Sequence, residues 1–186
     1  LYPKSGSVYP KEPVNVYNDP DMAAEAALAC LAQGFDAVKF DPAGAYTAFD
    51  PHQPRLHDID LSARMVGAVR AAVGTRADIL FGTHGQFTPS GAARLARAIE
   101  PFDPLWFEEP VPPDNMEAMA EIARKTTIPI AAGERLTTRF EFARLIQLRA
   151  ASILQPNAGR CGGILEMKKI AAMAEAHHIQ IAPHCY

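Results

Sequence analysis

The sequence has no run of basic residues, and its formal net charge is -3. Both features argue against a nucleic-acid partner. No apolar run is long enough to span a membrane, and no charged-then-apolar stretch opens the chain, so neither a membrane protein nor a secreted one is expected. Cysteine is scarce. Cys30, Cys161 and Cys185 are odd in number and show no CxxC spacing, which excludes a disulfide framework. Free thiols in a reducing, cytoplasmic setting are the expectation. Methionine does not open the chain; Leu1 does, and the chain is expected to begin partway through a longer protein. What is present is ordinary for a globular domain: 48% hydrophobic and 21% charged residues over 186 positions, enough for one domain.

The informative stretch runs from Leu105 to Arg135. Leu105-Trp106-Phe107-Glu108-Glu109-Pro110 and Ile128-Pro129-Ile130-Ala131-Ala132-Gly133-Glu134-Arg135 are short apolar runs ending in acid. An Ala-, Met- and Glu-rich segment separates them, which reads as strand, helix, strand. The same alternation runs along the chain, with strands expected near residues 14, 36, 78, 105, 128, 152 and 180. Helices are expected over Ala23–Gln33, Asp60–Val73, Ser90–Glu100, Asp114–Lys125, Arg139–Gln147 and Ile164–His177. Asp19-Pro20 supplies an N-cap with Pro at the first helical position.

Regular strand–helix units point to an α/β fold, a TIM-type (β/α) barrel rather than an open sheet. About seven units are expected where a full barrel needs ~250 residues, so closing elements are expected to be missing. Residues 1–13, with three prolines, read as an extended lead-in, and 14–186 as an incomplete barrel domain. The proline-rich stretch from Pro42 to His57 is read as a long loop on the catalytic rim.

In such a barrel the carboxyl ends of the strands gather on one rim, where active sites lie. Period two places Lys39 and Asp41 on one face. The other strand ends offer His84, Glu108, Glu134, Gln155 with Asn157, and His184. Like charges at strand ends repel, and a divalent cation is the usual remedy. The alternative is a structural one: Lys39 and Arg135 could pair with Glu108 and Glu134. Asn157 could orient His184 or cap the turn before the next helix. His177 and His178 suit a helix C-terminus, and His52 and His57 are expected to be solvent-exposed.

Phe107-Glu108-Glu109-Pro110, Gly133-Glu134-Arg135, Gln155-Pro156-Asn157 with Gly162-Gly163-Ile164, and Pro183-His184 together resemble the barrel domain of the enolase superfamily. Within it, the resemblance is to the mandelate racemase-like branch that contains acid-sugar dehydratases of the galactonate type. It covers the chain from Val14 to Tyr186 and implies a Mg²⁺-dependent lyase, acting on a sugar acid through an enediolate. Glu108 and Glu134 would be metal ligands, and Lys39 would sit near the substrate carboxylate. His184 would remove the α-proton, and His84 would protonate the departing hydroxyl. The resemblance also implies a homo-oligomer and a separate capping domain, which is expected to lie outside this chain.

Two departures stand out. Gly82 occupies the place of the family's first metal-binding Asp, and Asn157 that of an Asp paired with the strand-end His. Asn can accept a hydrogen bond from imidazole but cannot stabilise imidazolium with charge. Asp41 is read as taking over the third carboxylate role, directly or through one water; the alternative is that it pairs with Lys39 or binds a substrate hydroxyl. The remaining alternatives for function are a racemase, epimerase or cycloisomerase with the same α-proton chemistry, or a non-catalytic barrel that has lost a metal ligand.

Overall fold

The structure is a computed structural model that describes residues 16–43 and 50–185. Among the described residues, six strands form one sheet: β1 (Ala37–Phe40), β2 (Asp78–Phe81), β3 (Trp106–Glu108), β4 (Ile130–Ala132), β5 (Ile153–Leu154) and β6 (Gln180–Ile181). Every neighbouring pair is parallel, and the spatial order follows the chain order. A doubly wound open sheet reverses its strand order at a switch point; this sheet does not. That order is the barrel's.

The helices alternate with the strands: α1 (Pro20–Ala32), α2 (Leu56–Val73), α3 (Pro89–Ile99), α4 (Met116–Ala123), α5 (Arg139–Gln147) and α6 (Ile164–Ala176). Local signals set their starts. Asp19 caps α1 by accepting from the Asp21 and Met22 amides, with Pro20 in the first turn. Thr138 and Glu141 form a reciprocal capping box on α5. No helix among the described residues is long and apolar enough to cross a membrane.

Two expectations need correction. Val16 and Tyr17 form a turn, not the end of a strand, because the chain is already bending toward the Asp19 cap. Val14, the lead-in over 1–13, and residues 44–49 of the expected loop lie outside the described residues. Helix α2 also begins at Leu56, one turn before the expected Asp60. Ile59 is buried and continues the stripe of Ser62, Met65, Val66, Val69 and Val73, so burial of that face draws the first turn into the helix.

The two faces of the sheet have different roles. Val38, Phe40, Ile79, Phe81, Phe107, Ile130, Ala132 and Leu154 pack against the helices in the main core. Phe81 and Phe107, paired in register, meet edge to face at 5.3 Å. Each is fully buried, worth roughly 1.5–3 kcal/mol apiece. Trp106, Ala131 and Ile153, with Leu80 and Ala182 against them, form a second, smaller cluster. Alternation puts these on the opposite, inner face. Followed to the carboxyl ends of the strands and just past them, that face leads to Lys39, Gly82, Glu108, Gln155 and His184.

Candidate active site

Glu108 lies at the centre of the rim and is fully buried. Lys39 Nζ stands 2.5 Å from its Oε1. Its Oε2 accepts from Trp106 Nε1 at 3.1 Å and from Gln155 Nε2 at 2.8 Å. Three donors offset the cost of burying this carboxylate. Lys39 and Glu108 thus pair directly. Trp106 was given no role by sequence reasoning, although it stands two residues before Glu108 on one strand and was findable from period two. Gln155 was placed at a strand end, but its pairing with Glu108, two strands away, was not foreseen.

Glu109 is the acid that sequence reasoning missed. It is fully buried and has a left-handed backbone, φ 39°, which turns its side chain away from that of Glu108. Arg135 Nε and Nη2 donate to its Oε2 at 2.8 and 2.5 Å, and the Gly133 amide donates to Oε1 at 3.1 Å. Arg135 was expected as a partner of Glu108 or Glu134; it pairs with Glu109. Its guanidinium passes so close to Gly85 that a Cβ there would meet Nη2 at 2.6 Å. Gly85 also has φ 72° and donates its N–H to Glu109 O at 2.7 Å.

Glu134 follows β4 and faces His184, with 3.4 Å between its Oε2 and Nε2. Burial, then the charges of Glu109 and Glu108, push its carboxyl up to about 7, against an opposing pull from Lys39 and Arg135. Burial, then the Lys39 charge, holds His184 below its usual range. Asn157 serves both roles left open for it. Its Nδ2 lies 3.0 Å from His184 Nδ1, and its Oδ1 accepts from the Arg160 amide at 3.1 Å, capping the turn.

Asp41 and His84 form the other side of the rim, 3.6 Å apart between Oδ2 and Nδ1. Asp41 Oδ1 is buried with no hydrogen-bond partner among the described residues. Burial raises the Asp41 carboxyl, with His84 and Lys39 opposing. A Cβ at Gly82 would lie 1.8 Å from Asp41 Oδ1, so the absence of a side chain at 82 makes room for this carboxylate. Gly82→Ala is expected to cost about 1–3 kcal/mol, or to swing Asp41 out of the rim. The same change made on an Asp41→Ala background should cost well under half as much in denaturant titration. An equal cost on both backgrounds would show that the clash is not with Asp41.

The other histidines lie elsewhere. His57, His177 and His178 are exposed. His52 is not simply solvated as expected: its backbone bridges to Phe87 and its ring packs against that of Phe87 at 5.5 Å, which ties the long loop to the entry of α3. Cys30, Cys161 and Cys185 are free.

A parallel sheet growing in chain order, helices on its outer face, and acids, histidines and a lysine at its carboxyl ends define a (β/α)-barrel domain with its titratable groups gathered on one rim. Residues 21–186 match the family described as enolase C-terminal domain-like. The chain belongs to that family, in its mandelate racemase/muconate lactonizing enzyme branch.

Relatives and solved structures agree. A D-xylonate dehydratase of Haloferax volcanii is 36% identical over 94% of this chain and 45% of its own length. A D-galactonate dehydratase of Ralstonia nicotianae is 40% identical over 84% of this chain and 40% of its own length. The solved mandelate racemase/muconate lactonizing enzyme-like protein from Roseovarius sp. TM1035 superposes with a TM-score of 0.90 at 58% identity, covering 96% of this chain and 45% of that one. The chain thus spans less than half the length of these proteins.

Enolase superfamily members generally use a divalent metal. Among the described residues, no three His, Cys, Asp or Glu side chains form a ready-made metal cluster. Glu108, Glu134 and Asp41 each face a basic side chain instead. Two features nevertheless fit a cation: the Glu134 carboxyl, raised by burial and then by the charges of Glu109 and Glu108, and the Asp41 oxygen with no hydrogen-bond partner among the described residues.

Proposed function

We propose that this chain is the barrel portion of an acid-sugar dehydratase, a hydro-lyase that converts an aldonate of the galactonate type to a 2-keto-3-deoxy acid. The observation that supports it most is the placement of two histidines, His84 after β2 and His184 after β6, on either side of a buried acidic centre. Dehydration needs such a pair. One group takes the proton from Cα, and the other delivers a proton to the β-hydroxyl as the C–O bond breaks and water leaves. The resulting enol then tautomerises to the ketone. Lys39, on the inner face beside Glu108, can hold the substrate carboxylate. Glu108 and Glu134, with Asp41 as the third carboxylate directly or through one water, are the residues that would hold Mg²⁺. When bound, the ion would stabilise negative charge building on the substrate carboxylate. The names of the dehydratase relatives support the substrate class.

The test is to incubate the full-length protein with a panel of aldonates, D-galactonate and D-xylonate included, in the presence of MgCl₂. Formation of a 2-keto-3-deoxy acid from at least one is expected, with deuterium at C3 of the product in heavy water. Cα exchange with an inverted or cyclised product would favour a racemase or cycloisomerase. Neither product nor exchange across the panel would overturn the reading.

A further inference from the structure

His84 is tied from both sides to the turn that carries the acidic centre. The last register pair of β2 and β3 is Phe81 with Phe107, and beyond it two other donors join these strand ends. Thr83 supplies the first. It is fully buried, and its hydroxyl has a single proton to give. Two carbonyls share that proton, Glu108 O at 2.5 Å and Glu109 O at 2.9 Å. Gly85 supplies the second: its N–H donates to the same Glu109 O at 2.7 Å. The residue between these two anchors is His84, whose ring stands beside Asp41. The peptide they grip joins Glu108, the partner of Lys39, to the left-handed Glu109. Val would fill the volume of Thr83 with no polar group, and a buried hydroxyl costs free energy unless it is bonded. What Thr83 adds at this position is therefore the proton, not the shape.

We propose that Thr83 is a positioning residue for His84: its hydroxyl locks the end of β2 onto the Glu108–Glu109 turn and so fixes where the imidazole stands over the rim. The proposal rests on the dehydratase reading for its catalytic consequence, the delivery of a proton by His84 to the departing β-hydroxyl. Proton delivery needs the donor within hydrogen-bond reach of that oxygen, and a misplacement of about 1 Å can cost on the order of 100-fold in rate. Removing the Thr83 hydroxyl strips one of the two anchors and lets the His84 segment drift. Removal of the α-proton belongs to His184, after β6 and outside this clamp, and is left intact. The two halves of the reaction are then uncoupled by a residue that touches neither substrate nor reacting atom.

The test compares the full-length wild type with Thr83→Val, which keeps the shape and removes the proton, and Thr83→Ser, which returns it. In heavy water a substrate that has lost its α-proton has two fates. It loses the β-hydroxyl and becomes product, or it takes deuterium back at C2 and returns as labelled substrate. Thr83→Val should raise the ratio of labelled substrate to product by about 10-fold or more and lower kcat with little change in KM. Thr83→Ser should restore the ratio. Partial unfolding would slow both fates together and leave the ratio where it was. An unmoved ratio in a folded Thr83→Val, or no rescue in Thr83→Ser, would overturn the proposal. The anchor is also read without substrate, by hydrogen–deuterium exchange at the Gly85 amide, followed by mass spectrometry. That amide should be protected in the wild type and in Thr83→Ser, and exchange about 10-fold faster in Thr83→Val, the loss that one hydrogen bond accounts for. Exchange at the rate of an exposed loop in the wild type would overturn the proposal, whether or not Thr83→Val folds. If no sugar acid is dehydrated while Thr83→Val alone loosens the Gly85 amide, the dehydratase reading falls and the anchoring of His84 stands.

Discussion

Arg135→Met is expected to destabilise the protein by about 3–5 kcal/mol, the usual cost of removing one partner from a buried ion pair. Glu109 is fully buried and Arg135 only 14% exposed in its side chain, so water cannot replace the lost guanidinium. The Gly133 amide would be left as the one donor described at that carboxylate. The residue also holds a left-handed backbone at φ 39°, a conformation that costs a non-glycine residue of order 1 kcal/mol or more. The ion pair helps to hold it there. For a domain of this size the melting temperature should fall by roughly 10 °C. Glu109→Gln added to Arg135→Met should recover much of the loss, because the uncompensated charge is then gone. A loss under ~1 kcal/mol for the single variant, or no recovery in the double, would show that the pair is not buried as described.

The second large effect concerns pH. The Glu134 carboxyl is pushed up to about 7 in the folded protein, from an ordinary value near 4.5 when unfolded. A raised carboxyl means that the folded state binds its proton more tightly than the unfolded state. Stability from this group is therefore complete at acid pH and is lost as pH rises from about 4.5 through about 7. The loss is at most about 3 kcal/mol at ~1.36 kcal/mol per unit. Glu134→Gln, which cannot ionise, should flatten the fall in melting temperature between pH 5 and pH 8 and be the more stable protein at pH 8. Millimolar MgCl₂ should raise the melting temperature of the wild type more at pH 8 than at pH 5.5, because only the ionised carboxylate attracts a cation. The same salt should do less for Glu134→Gln. Parallel pH profiles for the two proteins would contradict this account of the site.

Much of the fold was legible in the sequence because it rests on local chemistry. Apolar runs of three to five residues, spaced by one helix each, are what parallel strands need, and six of the seven expected strands lie where those runs fall. The seventh, near residue 14, falls mostly outside the described residues, of which Val16 and Tyr17 form a turn leading to a helix cap. The rim was legible for the same reason. Period two and the ends of the runs select Lys39, Asp41, Glu108 and Asn157 without knowledge of any neighbour.

The sequence by itself therefore determined the parallel α/β class, the face on which each strand residue stands, and the inventory of acids, histidines and lysine at one rim. These follow from side-chain period and element length. Only the tertiary structure decided the pairings: Lys39 with Glu108, Arg135 with Glu109, Asp41 beside His84 in the space left by Gly82, and Asn157 with its amide nitrogen toward His184. Each pairing joins different strand ends, so it depends on sheet register and on backbone turns such as the left-handed Glu109, to which a local sequence pattern has no access.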